Sequence, residues 1–434
     1  MDSMKIYISG ISGTGMGPLA LMAKKAGFEV CGSDLSAGAI MPELKKAGIE
    51  VEVGKQDGKY LKRKIEEGID WFVYTSALPN NHPELVVARE AGVKLSKRDD
   101  FTEFLVEKLK LKMIAVAGTH GKTTTTSMIV YAAIQLGLPV SYIAGTTLGF
   151  APSGAYHEGD KYFVYEADEY DRNFLKYHPW LAVLPSVSYD HSDIYATREE
   201  YLKAFEQFKD QSEKIIEDTG KGLKWQNTLE PTYRADDFEV AGEVRRKDAA
   251  LAANAIIEMM VDNSKVSGKE LSVDTLNIID ILNGFPGVGR RFEKLAEGIY
   301  TDYAHHPEEI EATIKIAREE AIIDEKNNVI VVYQPHQNKR QHEVRKYYQE
   351  AFKGADKVYW LPTYLVRDDE SNLPILTPEE LVSDIHDKDK IEIADTNEGL
   401  FKKIVEHAEN GDLVVLMTAG PADVWLREKL DKDS

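Results

Sequence analysis

The residues with the clearest chemistry lie at positions 118–126, which have the sequence Gly-Thr-His-Gly-Lys-Thr-Thr-Thr-Thr. The apolar run 113–117 before them predicts a buried strand, and the pattern at 127–136 after them predicts a helix. A glycine-rich turn between a strand and a helix N-terminus gathers backbone N–H groups around an anion. Lys122 would add a positive charge there, and Thr123 a hydroxyl ligand for Mg²⁺. The segment therefore predicts an ATP site.

This segment is a variant of the phosphate-binding loop. The strict pattern has a glycine six residues before the lysine, whereas Val116 occupies that position here. A surface turn without a ligand is the alternative interpretation. Packing alone, however, gives no reason for Gly-Lys-Thr-Thr after a buried strand, so we expect ATP binding.

Acidic residues follow two further predicted strands in the same part of the chain. Four acids stand within 166–171 after the predicted strand 162–165, and Asp-His-Ser-Asp at 190–193 follows the predicted strand 181–184. A carboxylate at the carboxyl edge of a parallel sheet, beside a phosphate loop, is well placed to hold Mg²⁺. Solvated loops are the alternative interpretation of both clusters.

A second glycine-rich segment, at 10–17, follows a predicted strand at 5–9 and begins a predicted helix. Its glycines allow a backbone to approach a diphosphate at the helix N-terminus. Gly32-Ser33-Asp34 ends the next predicted strand, where an acid can accept hydrogen bonds from a ribose or base. The spacing departs from the strict dinucleotide-binding pattern. A tight turn without a ligand is therefore the alternative.

The last third of the chain carries three polar segments. Arg-Arg-Phe-Glu stands at 290–293, Thr-Asp-Tyr-Ala-His-His-Pro at 301–307, and a run ending in Lys339-Arg340 at 333–340. The two adjacent histidines make a poor chelate because they point in different directions. Asp302 is equally suited to cap the following helix. The basic run suits a carboxylate ligand, and loop polarity is the alternative for all three segments.

Short apolar runs alternate with helical patterns over most of the length, which predicts an α/β fold with largely parallel sheets. The patterns fit three domains: an N-terminal domain at 1–108, a central domain at 109–285 and a C-terminal domain at 286–434. The segment 211–244 has weak periodicity and gives no assignment.

The composition is typical of a globular protein, with 43% hydrophobic and 29% charged residues among 434. A formal net charge of −20 argues against a nucleic-acid or anionic-membrane partner. The single cysteine, Cys31, excludes an internal disulfide framework and a cysteine-based zinc site. The sequence shows no signal peptide and no apolar run long enough to span a membrane, so we expect a cytoplasmic protein.

In this order, the segments resemble the Mur ligases nearly end to end. The most specific pieces are residues 118–126, 166–169, 190–191, 290–293, 302–307 and 334–336. The resemblance implies an N-terminal Rossmann-like domain for a UDP-sugar, a central P-loop ATPase domain, and a C-terminal Rossmann-like domain for an amino acid. It further implies that ATP, UDP-N-acetylmuramate and L-alanine give ADP, phosphate and UDP-N-acetylmuramoyl-L-alanine through an acyl phosphate. This is a step of peptidoglycan synthesis.

The resemblance also implies roles for individual residues. Lys122, Glu166 and His191 would be catalytic, and Thr123, Glu166 and His191 would hold Mg²⁺. Predicted ATP contacts are Gly118, Thr119, His120, Gly121, Lys122, Thr123, Thr124, Asp248, Arg291 and Asp302. Predicted UDP-sugar contacts are Gly13, Gly15, Ser33, Asp34 and Ser76. Predicted amino-acid contacts are His336 and Arg340. Arg291 and Asp302 belong to the C-terminal domain, so the nucleotide site would be complete only after domain closure.

Four departures from the family pattern qualify these assignments. Gln337 stands where an arginine usually follows Gln-Pro-His. Asp248 replaces an asparagine that faces adenine, and Ser186 replaces another asparagine. The central domain is also short before Gly242.

Three alternatives to the alanine-adding ligase remain open. Residues 168–171 and 148–150 are closer to muropeptide-recycling ligases, which add a tripeptide to the same UDP-sugar. The lost asparagines and short central domain allow an inactive nucleotide-binding homologue. A nicotinamide oxidoreductase would explain the first glycine-rich segment but leaves Lys122 without a role. We expect small-molecule partners and either a monomer or a homodimer.

Overall fold

The computed structural model describes residues 3–75, 78–190, 194–267, 275–365 and 373–433. Two predicted site residues, Ser76 and His191, lie outside these ranges. The fold is α/β with three sheets, each built from strands of one of the three predicted segments. Within the described residues, no helix combines the length and apolar composition needed to cross a bilayer.

The first sheet has five strands in the order β3-β2-β1-β4-β5, and all its pairs are parallel. This is the Rossmann-like arrangement, in which the carboxyl ends of β1 and β2 lie side by side. The strands are β1 (Lys5–Ser9), β2 (Glu29–Asp34), β3 (Glu50–Val53), β4 (Trp71–Tyr74) and β5 (Lys94–Lys97). The helices are α1 (Met16–Lys25), α2 (Met41–Lys46), α3 (Lys59–Glu66), α4 (Pro83–Glu90) and α5 (Arg98–Leu109).

The second sheet has seven strands in the order β12-β11-β10-β6-β9-β7-β8. Its pairs are parallel except for β7 with β8 and β11 with β12. The strands are β6 (Lys112–Val116), β7 (Val140–Ile143), β8 (Gly154–Ala155), β9 (Tyr162–Glu166), β10 (Leu181–Leu184), β11 (Ile215–Asp218) and β12 (Leu223–Gln226). The helices are α6 (Lys122–Gln135), α7 (Arg198–Asp210), α8 (Glu243–Ser267) and α9 (Thr275–Asn283).

In this sheet β6 lies between β9 and β10, so both of its faces and both of its edges are covered. That position explains the continuous apolar run that predicted the strand. The carboxyl ends of β6, β9 and β10 therefore meet at one edge. The segment 211–244, which gave no assignment from sequence, holds β11 and β12.

The third sheet has six strands in the order β13-β14-β18-β15-β16-β17, and only β13 pairs antiparallel. The strands are β13 (Glu293–Ala296), β14 (Ile299–Asp302), β15 (Val329–Gln334), β16 (Lys357–Trp360), β17 (Ile391–Ile393) and β18 (Leu413–Thr418). The helices are α10 (Pro307–Ile323), α11 (Asn338–Val344), α12 (Pro378–Val382), α13 (Glu398–Glu409) and α14 (Ala422–Asp433). Its buried middle strands, β15 and β18, correspond to the longest apolar runs of this part of the chain.

The chain divides into two compact units, Met1–Glu239 with Arg246–Pro286 and Val240–Arg245 with Gly287–Ser434. The first unit contains the first two sheets, which share one hydrophobic core. Strand β8 packs closely on α1, because a Cβ on Gly154 would come within 2.1 Å of the Pro18 carbonyl oxygen. Glu43 adds hydrogen bonds from the Ser153 N–H and hydroxyl at 2.8 and 3.0 Å. The first two sheets thus form one body.

Candidate functional site

The phosphate loop occupies the turn between β6 and α6, and the helix begins at Lys122 rather than at 127 as the pattern predicted. Two glycines of the turn have positive φ, +153° at Gly118 and +84° at Gly121. A Cβ on Gly118 would lie 2.5 Å from the Ser186 carbonyl oxygen, and one on Gly121 would lie 2.7 Å from Asp248 Oδ1. Both positions therefore require glycine for backbone conformation and for space.

The loop is held in shape by the segment that follows β10. Thr119 N–H donates to the Ser186 carbonyl at 2.9 Å, and His120 N–H donates to the Ser186 hydroxyl at 2.9 Å. Ser186 Oγ also donates to the His120 carbonyl at 3.0 Å. Thr119 Oγ1 donates to the Ser188 carbonyl at 2.6 Å. Ser186, which departs from the family pattern, therefore stabilises the loop through its hydrogen bonds with His120.

Lys122 lies at the centre of the loop. Its Nζ donates to the Gly118 carbonyl at 2.5 Å and lies 2.8 Å from Glu169 Oε2. Burial alone would lower the pKa of Lys122, but the carboxylates of Glu169 and Glu166 outweigh it and raise that pKa. The ammonium is therefore held charged. Glu169 had no predicted role of its own, and its position within a run of acids was its only signal in the sequence.

Thr123 and Glu166 are brought together at the same edge. Thr123 Oγ1 donates to Glu166 Oε1 at 3.1 Å. A Cβ on Gly145 would come within 2.7 Å of Glu166 Oε2, so that glycine leaves room for the carboxylate. Asp168 is also close to this group, and burial, with the charge of Glu169, raises its pKa. The acidic side chains predicted from the sequence thus do lie beside the loop, and their role as metal ligands stays a prediction.

These oxygen atoms fit Mg²⁺ by their chemistry. Over the described residues, no three or more His, Cys, Asp and Glu side chains are grouped so that they could hold a metal ion. Mg²⁺ commonly takes one or two protein ligands and completes its shell with water and substrate phosphates. One hydroxyl and one carboxylate beside a phosphate loop satisfy that requirement. His191, the third predicted ligand, lies outside the described residues.

Asp248 lies in α8 directly behind the loop. Its side chain is buried, and Thr125 Oγ1 donates to Asp248 Oδ1 at 3.0 Å. Together with its contact at Gly121, this packs α8 against the first turn of α6. Thr124, in that same turn, is half-buried. The predicted contact between Asp248 and adenine remains a prediction.

The first glycine-rich segment forms the turn between β1 and α1. Gly10 and Ile11 N–H groups donate to the Ser33 carbonyl at 2.8 and 3.1 Å, and Ser12 N–H donates to Asp34 Oδ2 at 2.8 Å. Gly13 is exposed. Strand β2 therefore fixes the turn through Ser33 and Asp34, and the predicted UDP-sugar residues other than Ser76 come together here.

Below this turn lies a buried polar network that sequence reasoning missed. Glu84 accepts hydrogen bonds at 2.6 Å from the hydroxyls of Tyr7, Ser9 and Ser33. Gln56 Nε2 also donates to Glu84, at 3.2 Å. The Ser33 hydroxyl is therefore directed into the domain, where it supports the turn. Pro83-Glu84 after a turn is an ordinary helix start, so no pattern in the sequence predicts this network.

In the second unit, Asp302 is buried at the end of β14. Its carboxylate accepts hydrogen bonds from Phe292 N–H at 2.7 Å, Ala304 N–H at 2.8 Å and Thr313 Oγ1 at 3.1 Å. The alternative prediction that Asp302 caps α10 is wrong, because His306 is the N-cap residue. Asp302 instead fixes the segment that carries Arg291, which lies 5.1 Å from the Tyr303 ring centroid.

His336 lies at the carboxyl edge of the third sheet, between two aromatic rings. His305 and Tyr364 each lie 5.8 Å from it, centroid to centroid. Burial, with the charge of Arg340 among its neighbours, lowers the pKa of His305, although Glu309 opposes this. His336 and Arg340 are thus both close to His305. From the sequence, His305 was considered only as a poor metal ligand, and no pattern predicted its position beside His336.

Gln337, the departure beside His336, adopts a positive φ of +61° at the start of α11. Its N–H donates to the Tyr364 carbonyl at 2.9 Å, and Tyr364 N–H donates to the Pro335 carbonyl at 2.8 Å. These backbone hydrogen bonds hold the turn against Tyr364, and they do not depend on which side chain occupies position 337.

Comparison with known proteins gives matches along nearly the whole chain. Residues 5–108 match the catalytic domain of the Mur ligase family, residues 116–229 the Mur ligase middle domain, and residues 290–420 the Mur ligase glutamate ligase domain. A UDP-N-acetylmuramate–L-alanine ligase of Symbiobacterium thermophilum is 30% identical, over 98% of this chain and 93% of its own length.

Two solved structures share the fold. The UDP-N-acetylmuramate–alanine ligase of Thermotoga maritima is 22% identical with a TM-score of 0.74 and covers 99% of both chains. A murein peptide ligase of Psychrobacter arcticus is also 22% identical, with a TM-score of 0.60, over 99% of this chain and 98% of its own. At these identities, the two structures support the three-domain α/β fold alone.

Proposed function

We propose that this chain, which belongs to the Mur ligase family, joins L-alanine to UDP-N-acetylmuramate with cleavage of ATP to ADP and phosphate. The observation that carries the proposal is the group formed by Lys122, Thr123, Glu166 and Glu169 at the end of β6. It places a largely buried cation and side-chain oxygen atoms at a helix N-terminus, in a chain related over 98% of its length to an L-alanine ligase.

The reaction has two steps. A lactyl carboxylate oxygen of the sugar attacks the γ-phosphorus, and the bond to the β-phosphate oxygen breaks to release ADP. The alanine amine then attacks the acyl carbonyl, and the tetrahedral intermediate collapses with loss of phosphate and a proton. Because the transferred phosphoryl group needs little covalent help, the protein contributes positioning and charge.

Lys122 supplies that charge in the first step. In the described structure its ammonium is held by the Gly118 carbonyl and Glu169, and the loop around it is fixed by Ser186. The Lys122 ammonium would pair with the β- and γ-phosphates of bound ATP. Thr123 and Glu166 would hold Mg²⁺, which would supply further positive charge for the phosphates.

In the second unit, we assign recognition of the alanine carboxylate to His336 and Arg340. Their position at the carboxyl edge of a parallel sheet is the usual place for a ligand in this kind of domain. Arg291 and Asp302 remain predicted nucleotide contacts. We place the reaction in the cytoplasm, and the expectation of a monomer or homodimer stays a prediction.

A phosphate-release assay with ATP, Mg²⁺ and UDP-N-acetylmuramate tests the proposal. The second substrate is varied among L-alanine, glycine, L-serine and the tripeptide L-alanyl-γ-D-glutamyl-meso-diaminopimelate. We expect the highest kcat/KM with L-alanine. Preference for the tripeptide would make the chain a recycling ligase instead, and no release with any acceptor would favour the inactive homologue.

A further inference from the structure

The peptide unit between His336 and Gln337 lies in a strained turn. Gln337 has a φ of +61° and a ψ of 122°, a combination that residues other than glycine rarely adopt. A conformation of this kind costs about 1–3 kcal/mol and persists only where neighbouring contacts hold it. Rotation of the peptide unit would bring Gln337 into the extended region and would move the backbone that carries His336. The contacts of this peptide unit therefore determine the position of the His336 side chain.

Both polar ends of the peptide unit are held by hydrogen bonds. The Gln337 N–H donates to the Tyr364 carbonyl at 2.9 Å. At the other end, Gln341 Nε2 donates to the His336 carbonyl at 3.0 Å. Gln341 belongs to α11 and is fully buried. The first contact joins two backbone groups, so the contact that a substitution can remove is the one made by the side chain of Gln341.

The amide of Gln341 is oriented by two buried tyrosines. The Tyr348 hydroxyl donates to Gln341 Oε1 at 2.7 Å, and the Tyr333 hydroxyl lies 2.7 Å from the Tyr348 oxygen. Because a backbone carbonyl only accepts, Nε2 must face His336 and Oε1 must accept from Tyr348. Tyr348 has then used its one proton, so Tyr333 is the donor to Tyr348. The hydrogen bonds therefore run in one direction, from Tyr333 to the His336 carbonyl.

The same tyrosines lie against the backbone of His305. The Tyr333 hydroxyl is 3.2 Å from the His305 carbonyl oxygen, and the rings of His305 and His336 lie 5.8 Å apart, centroid to centroid. Burial raises the pKa of Tyr333 and of Tyr348, so both hydroxyls keep their protons. One buried network thus contacts the backbone of both histidines.

We infer that Gln341 is a positioning residue for the acceptor amino acid, because its side-chain amide fixes the peptide unit between His336 and Gln337. The inference rests on the proposed function, in which His336 binds the carboxylate of L-alanine. A side chain that is fixed before the ligand arrives need not be ordered at the moment of binding. Loss of the Gln341 amide should therefore weaken binding of the amino acid more than binding of the two nucleotides.

The test measures steady-state phosphate release in Gln341→Met, which removes the amide and keeps the length of the side chain. We expect KM for L-alanine to rise about five- to tenfold, with kcat within about threefold of wild type. The KM values for ATP and for UDP-N-acetylmuramate should stay within about twofold, since Lys122 and the β1–α1 turn belong to the other unit. Tyr348→Phe keeps the amide but removes the hydroxyl that orients it, so KM for L-alanine should rise about two- to threefold.

A second substitution separates the orientation of the peptide unit from a loss of packing. Glycine tolerates a positive φ, so Gln337→Gly removes the strain that favours rotation. In the Gln341→Met background, it should return KM for L-alanine to within about twofold of the Gln337→Gly single variant. A loss of packing around residue 341 would not be corrected in this way.

Tyr359→Phe is the matched control for a lost buried hydroxyl. The Tyr359 hydroxyl is 3.1 Å from His407 Nε2, and its ring packs on the opposite face of the same sheet from Tyr333 and Tyr348. This variant should leave KM for L-alanine unchanged. Thermal unfolding confirms that each variant is folded, and Tyr348→Phe carries the test alone if Gln341→Met does not fold.

Each outcome has a separate meaning. An unchanged KM for L-alanine in the folded variants of Gln341 and Tyr348, an equal increase in Tyr359→Phe, or no recovery with Gln337→Gly would overturn the inference and leave the proposed function standing. Wild-type protein that releases no phosphate in response to L-alanine would overturn both.

Discussion

The two glycine-rich turns of the first unit differ in where their neighbouring positive charge comes from. Each connects a buried parallel strand to a helix N-terminus, where backbone N–H groups favour an anion. The phosphate loop carries its cation within itself, at Lys122, and its glycines are required by positive φ and by backbone contacts. The β1–α1 turn has Met16 at the equivalent position, and its neighbouring positive group is Arg98 at the start of α5, whose Nη1 would lie 2.6 Å from a Cβ on Gly15. The local motif of the phosphate loop therefore includes its own cation, whereas the motif of the β1–α1 turn does not.

The largest expected effect comes from removing the internal cation. Lys122→Met should lower kcat for phosphate release by about 10³-fold, because an oriented charge on the transferred phosphoryl group is lost. The measurement is steady-state release with saturating L-alanine. Lys110→Met, at an exposed residue beyond α5, serves as the matched control and should leave kcat unchanged. Turnover by Lys122→Met within tenfold of wild type would remove the distinction between the two turns.

The next largest effect is a difference in stability between alanine variants of Gly118 and Gly15, one glycine from each turn. Gly118→Ala should cost about 2–4 kcal/mol in free energy of unfolding, because the new Cβ meets backbone and φ is positive. Gly15→Ala should cost less than about 1 kcal/mol, since φ is ordinary and the opposing atoms belong to a flexible side chain. It should instead raise KM for the UDP-sugar by displacing Arg98. Denaturant unfolding of both variants checks the order, which equal costs would contradict.

A smaller effect is expected from Ser186, which stabilises the phosphate loop. Ser186→Ala removes the hydrogen bonds of the Ser186 hydroxyl with the His120 N–H and carbonyl. We expect a loss of about 1–2 kcal/mol in stability and a several-fold higher KM for ATP, with KM for the UDP-sugar unchanged. Ser188→Ala, which leaves the Ser188 backbone contacts intact, is the control. If KM for the UDP-sugar increased instead, Ser186 would affect both glycine-rich turns and not only the phosphate loop.

The smallest effect concerns pH and the second unit. The pKa of His305 is lowered by burial below its ordinary value of 6.5, so the unfolded chain binds this proton more readily than the folded one. Its contribution to stability is therefore present above pH 6.5 and is lost as pH falls below that value. His305→Asn should reduce the drop in Tm between pH 7.5 and pH 5.5 by roughly 1–3 °C. An unchanged drop would show that His305 is not coupled to folding.

The features that could be predicted from the sequence depend on residues close together in the chain, and those that could not depend on residues far apart in it. The β6–α6 turn, the acidic residues at the end of β9 and the largely parallel α/β character of the chain follow from short patterns of glycines, acids and apolar runs. Arg98, Glu84 and Glu169 act across the fold, and no spacing in the chain connects them to the turns they serve. The error at Asp302 has a related cause. A strand-end acid before a helix resembles a cap, but its carboxylate binds Phe292 and Thr313 instead.

The central claim is that ATP activates the carboxylate of UDP-N-acetylmuramate as an acyl phosphate. Substrate labelled with ¹⁸O in the lactyl carboxylate tests it directly, with mass spectrometry of the phosphate released in the presence of L-alanine. We predict that each turnover transfers one carboxylate oxygen to inorganic phosphate, because the C–O bond of the acyl phosphate is the one that breaks. Release of phosphate without the label would rule out an acyl phosphate intermediate.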